Sequence, residues 1–396
     1  MKYLPLFTII ILTLISCNNE SSQRKKVVDL SDSAYKAFEN NKYQFAINSA
    51  KKALEIYTEI SDTTGIVESN YLISRASALL GDFDNAVLYG ENGSHLCKII
   101  ENYPLEYKIN NTLSWAYFTQ GRSFDENLEH NKRQLFVVEQ IQDDNAKAMV
   151  YNNYGYDATV SGKVPLNEAI GYMKFANSHY SKTEKNNGRW NTLMNLTWQH
   201  KLINNLSKSE EYGRLAVEQA EADNDRHAII EANSNLGETL LAQNKIEEAR
   251  PLYERGLEIS KQKGDRDKYV FDVYYSRYLW KTGKKDEAIS LLKNAVSFLE
   301  SSEIFYEMQA RAFLADYYFS IGNIDGAEKQ VNKFKNPRAR YFSQEAKVIA
   351  SSVEAQIVSA KDKERALGIL NYQLQEIDKS GAEYLKIQLL ELKKQM

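Results

Sequence analysis

The chain has 396 residues, 43% hydrophobic and 26% charged, enough to bury a large core. A formal charge of -3 excludes the basic excess of a nucleic-acid-binding surface and the acidic run of a solvating tail. Only 5 prolines and 18 glycines interrupt it, and because both residues weaken helix interiors, this scarcity favours an all-helical chain.

Residues 1–16 read as a targeting segment. Met1-Lys2-Tyr3 precedes an apolar run from Leu4 to Ile15, then Ser16-Cys17. One positive residue followed by about twelve apolar ones is a secretory signal pattern. The run falls short of the about 20 residues a spanning helix needs. Leu14-Ile15-Ser16-Cys17 resembles the bacterial lipobox. The resemblance implies cleavage before Cys17 and acylation of that residue. One acyl chain holds a membrane marginally, at about 0.8 kcal/mol per methylene, so stable anchoring needs the two or three that such a cysteine carries. Residues 17–26 are then the lipidated cysteine and a polar flexible tether. No later segment is apolar enough to span a bilayer. The body is expected outside the cytoplasm, on an outer membrane and facing the periplasm. Cys97, among His95, Leu96, Ile99 and Ile100, reads as a buried small apolar residue.

From residue 27 to 380 a phrase recurs: a Gly or Asn turn, an apolar residue, an acidic residue, then Ala. It appears at 41–46, 81–86, 244–249, 283–288 and 322–327, more loosely at 162–169, and faintly near Asn127, Tyr212 and Ala366. The step is close to 40 throughout, the signature of a stacked array. A left-handed turn residue ends the first helix of each unit. Acidic residues open the second, where the helix dipole favours them. The small residue lets the two backbones approach, so a larger side chain at Ala249 or Ala288 would overpack. Residues 381–396 carry one apolar stripe, including Tyr384, Leu385, Leu389 and Leu392, and one charged face, the pattern of a capping helix.

Leu236-Gly237, Leu240, Ala249, Tyr253 and Gly256, with Pro251 just inside the second helix, resemble the tetratricopeptide repeat. Weaker copies are Leu314-Ala315, Tyr318, Ala327 and Val331, and Gly155, Ala158 and Ala169. The resemblance implies an all-α solenoid, a right-handed superhelix of about nine helix-turn-helix repeats. The step departs from the usual 34, which lengthens helices or loops. It also implies a concave groove for a protein or extended peptide, lined from the first helix of each unit. By that rule the inward residues include Lys108, Asn111 and Trp115 in the third unit, Asn152 and Tyr156 in the fourth, and Val270, Val273, Arg277 and Trp280 in the seventh. Asn111 and Asn152 stand out, because amides pair with an extended backbone; Trp, Tyr and Arg make binding hot spots.

Chemistry is otherwise missing. The histidines, 95, 130, 179, 200 and 227, share no metal-binding spacing and read as surface or satisfied core. There is no glycine-rich phosphate loop and no nucleophile elbow. The abundant carboxylates read as solvated helix faces. The expectation is a membrane-anchored binding scaffold, not an enzyme, without cofactor, metal or nucleic acid. A sensor that partners a membrane signalling protein and a glycan-uptake binding lipoprotein are the alternatives.

Overall fold

The computed structural model describes residues 4–119, 124–183, 188–263, 265–300, 304–335 and 343–396, with side chains for 22–117, 127–183, 188–261, 266–300, 305–335 and 343–396. Every regular element among them is helical. Nine pairs follow one another along the chain. They are α1 (Leu4–Glu39) with α2 (Tyr43–Glu59), α3 (Thr63–Leu79) with α4 (Phe83–Ile100), and α5 (Tyr103–Thr119) with α6 (Phe124–Glu139). Next come α7 (Asp144–Ser161) with α8 (Leu166–Tyr180), α9 (Arg189–Leu202) with α10 (Leu206–Ala222), and α11 (Arg226–Ala242) with α12 (Ile246–Lys263). The last pairs are α13 (Asp265–Lys281) with α14 (Lys285–Leu299), α15 (Ile304–Ser320) with α16 (Ile324–Val331), and α17 (Gln344–Ser359) with α18 (Lys363–Ser380). A single helix, α19 (Glu383–Gln395), follows.

Helix α1 runs through the stretch read as a tether, which contains no Gly or Pro to stop it. Cys17 lies outside the residues whose side chains are described, and so does the expectation of a lipid on it. Among the described residues no helix is long and apolar enough to cross a membrane.

The turn chemistry is as the repeat requires. In seven of the pairs a residue between the two helices sits at positive φ: Asn41 (59°), Gly81 (79°), Gly162 (66°), Asn204 (59°), Asn244 (61°), Gly283 (84°) and Gly322 (79°). Asn tolerates this left-handed region and Gly occupies it freely. Behind several of these turns a side chain caps the second helix: Asp82 accepts from the amide of Asn85, Asn205 from Lys208, and Asn323 from Gly326.

The fourth residue of each second helix is the crossing point. Ala46, Ala86, Ala169, Ala249, Ala288, Ala327 and Ala366 all occupy it and are fully buried. In α10 the crossing residue is Ser209, not the neighbourhood of Tyr212 that the sequence pattern suggested. Ser209 fits because its hydroxyl, once buried, donates to the carbonyl of Thr197 at 2.8 Å. This register makes the step 40 on both sides of Ser209.

The chain divides into two compact units, residues 1–122 with 129–143, and residues 123–128 with 144–396. In the first, successive helices bury Ile73, Ile109, Leu113 and Cys97. Arg133 of α6 grips Glu106, which is fully buried, through two hydrogen bonds of 2.9 and 3.0 Å.

The second unit, taken by itself, closes on itself. Leu166 of α8 and Leu202 of α9 share one apolar core with Val348, Leu370, Leu385 and Leu389 from α17, α18 and α19. Polar contacts cross the same seam: Gln344 Nε2 donates to the carbonyl of Thr159 at 3.1 Å, and Ser380 Oγ donates to Gln344 Oε1 at 3.0 Å. The stripe on α19 therefore covers α18 and also reaches back onto α9.

Candidate binding cleft

Closure brings the first helices of the second unit around a common interior. Their inward side chains recur at three- and four-residue intervals, one face of a helix. From α9 come Asn195, Trp198 and Lys201; from α11, Glu231, Asn235 and Glu238; from α13, Tyr274 and Arg277. Helix α15 adds Phe305, Tyr306, Gln309 and Phe313, helix α17 adds Glu345, and α7 adds Tyr156. They line two adjoining hollows. One, of ≈ 600 Å³ including space open to solvent, has Tyr156, Trp198, Tyr274, Phe305 and Tyr306 on its walls. The other, of ≈ 1310 Å³ likewise open, is bounded by Arg277, Trp280, Phe313, Tyr317 and Tyr384. Glu345 faces both.

A chain of charges runs between them. Lys201 Nζ lies 3.5 Å from Glu345 Oε2, and Arg277 Nη1 lies 3.1 Å from Glu345 Oε1. Arg277 also pairs closely with Glu238, which accepts a hydrogen bond from the Tyr253 hydroxyl at 3.1 Å. All are largely buried, so each charge depends on its partner. Burial alone would raise the Glu345 carboxyl, but Lys201 and Arg277 together hold it below its ordinary range. Burial would weaken the Arg277 cation, yet Glu238 and Glu345 on either side keep it protonated far above its ordinary range. For Glu238 burial wins over Arg277, and its carboxyl is raised. Burial raises Glu231 as well; it accepts from the Tyr306 hydroxyl at 3.0 Å and lies 4.0 Å from His227. His227 itself turns to Asp267, at 3.2 Å. These carboxylates, which the sequence presented as solvated faces, are thus interior groups.

Gln309 is 4% exposed; its Oε1 accepts from Ser343 Oγ at 2.6 Å, and its Nε2 has no partner. Ser343 Oγ accepts from the amide of Ala346, which leaves its single proton for Gln309 Oε1 and so orients the amide. His200, on α9 outside this interior, is buried with neither ring nitrogen partnered and stacks on Tyr212 at 5.3 Å. Burial, helped by Lys174 and Lys208, pushes its pKa down to about 4. That makes it neither surface nor satisfied core.

Of the residues nominated from sequence, the second unit gathers Tyr156, Arg277 and Trp280 at the cleft. Trp280 lies flat on Tyr317, centroids 3.9 Å apart, with Lys285 above it at 5.1 Å. Asn152 is bound up between α7 and α9: its Oδ1 accepts from Thr192 and Asn195, and its Nδ2 donates to Asn191. Val270 and Val273 are core residues, and Tyr274 takes the inward place. Lys108, Asn111 and Trp115 stand on α5 of the first unit. Trp115 is 40% exposed, edge-on to Phe83 with Arg75 over its ring, and Lys108 places its charge near Glu68. Sequence reasoning missed the inward residues of α9, α11, α15 and α17. The same three- and four-residue spacing, applied to those helices, would have found Trp198, Glu231, Glu238 and Gln309.

Residues 233–263 match the profile of the tetratricopeptide repeat. A sequence comparison with curated proteins gives no significant match. Among solved structures, NprR in complex with its cognate peptide NprX is similar at 12% identity and TM-score 0.60, over 89% of this chain and 98% of that one. A Rap protein complexed with Competence and Sporulation Factor is similar at 15% identity and TM-score 0.55, over 94% and 98%. The Rap conjugation gene regulator of the plasmid pLS20, in complex with the Phr* peptide, is similar at 13% identity and TM-score 0.55, over 92% and 96%. At these identities the likeness concerns the fold. The chain is therefore an all-α array of tetratricopeptide type, one of whose repeats matches the family's own profile.

Proposed function

We propose that this protein is a binding scaffold that holds a peptide or protein segment in the interior of residues 144–396. The observation that carries the reading is the composition of that interior. Aromatic rings, amides and compensated charges replace the aliphatic packing found elsewhere in the unit. Such a lining gives large contact area to side chains and hydrogen bonds to a backbone. Two structures of similar fold are complexes with a peptide and a third is a complex with Competence and Sporulation Factor, which supports the same use here. The lipobox-like start adds the second half of the proposal: acylation at Cys17 tethers the scaffold to a bacterial envelope membrane, body outside the cytoplasm.

The test of binding is capture from a random soluble peptide pool, with retained peptides identified by mass spectrometry. The wild type should enrich a subset, and Asn235→Trp, which fills the cleft from one wall, should lose it. No enrichment, or enrichment untouched by Asn235→Trp, defeats the proposal. For the anchor, intact mass of the membrane-extracted protein should show a lipid-bearing N-terminal Cys17, and Cys17→Ser should release the chain from membranes. Recovery of an unmodified Cys17 in membrane extracts refutes it.

A further inference from the structure

Resting on that reading and sharpening it, we propose that the hollow walled by Tyr156, Trp198, Tyr274, Phe305 and Tyr306 is a subsite for a cation bonded close to an amide carbonyl, as in a basic residue of a peptide or its free N-terminus. Two independent observations point to the two halves of this ligand.

The first is the set of aromatic side chains that line the hollow together with a buried carboxylate. Aromatic faces attract cations through their quadrupole, more strongly when water is excluded. Glu231 sits at this wall with a tyrosine hydroxyl as its nearest partner. Three acidic groups near it are already paired. Glu345 and Glu238 share Lys201 and Arg277, so that quartet is neutral when all four groups are charged. Asp267 has Arg266 at 3.1 Å and His227 at 3.2 Å. Glu231 has neither Lys nor Arg among its described ion pairs; its nearest basic group is the His227 ring at 4.0 Å, which it shares with Asp267.

The second is the Gln309 amide. A buried donor without an acceptor costs about 1–3 kcal/mol, so it marks a place where something else accepts. Gln309 Nε2 is such a donor on the lining of the same hollow, and it asks for an oxygen. An ammonium or guanidinium alone supplies no acceptor, whereas an amide-linked one does. The pair of demands, a positive group toward Glu231 and a carbonyl toward Gln309, selects an amino-acid amide with a basic centre.

Titration calorimetry of the purified protein tests this with small probes. Nα-acetyl-lysine amide carries the cation on its side chain, leucine amide carries it on the amine, and Nα-acetyl-norleucine amide is neutral. Tetramethylammonium is a cation without a carbonyl. One of the two cationic amides should bind at least tenfold more tightly than the neutral amide, and which one does names the source as side chain or terminus. Glu231→Gln should erase that preference. Gln309→Leu should weaken the cationic amide and leave tetramethylammonium unchanged. Equal affinity for neutral and cationic amides in the wild type overturns the inference whatever the variants do, and so does a preference that survives Glu231→Gln. The peptide-capture experiment fails separately. Cation binding without peptide enrichment removes the scaffold reading alone, and enriched peptides with no cation preference remove this subsite alone.

Discussion

A single substitution, glycine to alanine, is expected to change sign with its place in this array. In a helix interior Ala is favoured over Gly by about 0.8–1.0 kcal/mol. At Gly171 in α8 and Gly368 in α18 an added Cβ meets nothing within 4 Å, so Ala there should realise that gain. At Gly256 in α12 the same Cβ would lie 2.3 Å from Phe271 Cε2 and 3.1 Å from its Cδ2 and Cζ. The ring has nowhere to go: Phe271 is fully buried, stacked on Tyr275 at 5.5 Å and close to Tyr253. Overpacking of this kind costs about 1–3 kcal/mol, which cancels or exceeds the propensity gain. Gly256→Ala should therefore be less stable than Gly171→Ala by about 1–3 kcal/mol. All three positions are in the second unit, so urea titration followed by circular dichroism reads them on one transition. A midpoint for Gly256→Ala at or above that for Gly171→Ala would refute the claim that close helix crossing dictates glycine there.

Three further outcomes are expected. The His200 pKa is about 4 folded, against about 6.5 unfolded, so between those values the unfolded chain binds the extra proton. Stability should hold above pH 6.5 and fall toward pH 4 by at most about 1.4 kcal/mol per unit. His200→Gln should flatten that slope, and an unchanged slope in urea midpoints at pH 7, 6 and 5 contradicts it. Burial pushes the Cys97 thiol up to about 12, so iodoacetamide at pH 8 should leave its peptide unmodified until denaturant is added; native labelling seen by mass spectrometry counts against the buried placement. Arg277→Met strands Glu238, leaves Glu345 with Lys201 alone and should cost about 3–5 kcal/mol, with partial recovery on adding Glu238→Gln; a loss below about 1 kcal/mol shows the charges to be solvated.

The repeat was legible because its constraints are local. A left-handed Asn or Gly with a small residue five positions later, or seven after Gly162, is demanded locally in seven of the pairs, so the phrase recurs in the sequence at a nearly fixed step. Ser209 escaped because a hydroxyl with a backbone acceptor substitutes for Ala without resembling it. The cleft was only partly legible. Tyr156, Arg277 and Trp280 follow from the inward rule, but whether Glu231, Glu238 and Glu345 are solvated or enclosed depends on helices up to 144 residues away. No pattern within one repeat carries that information. Asn152 illustrates the same limit, since its hydrogen-bonding capacity is taken by the next pair, α9, whose facing residues differ from unit to unit.

The seam also bears on how the second unit comes to be folded. An open row of helix pairs can grow from any nucleus by adding neighbours, each step paying only a short connection. Joining Thr159 to Gln344 instead ties a stretch of 185 residues into a loop, at an entropic cost of about 4–5 kcal/mol if the chain between is still flexible. That cost shrinks once the intervening pairs have stacked, so the ends meet last, as preformed surfaces. Substitutions at Gln344 or Ser380 should then quicken unfolding while barely slowing refolding. The ring is held shut by a clasp that forms late and opens first.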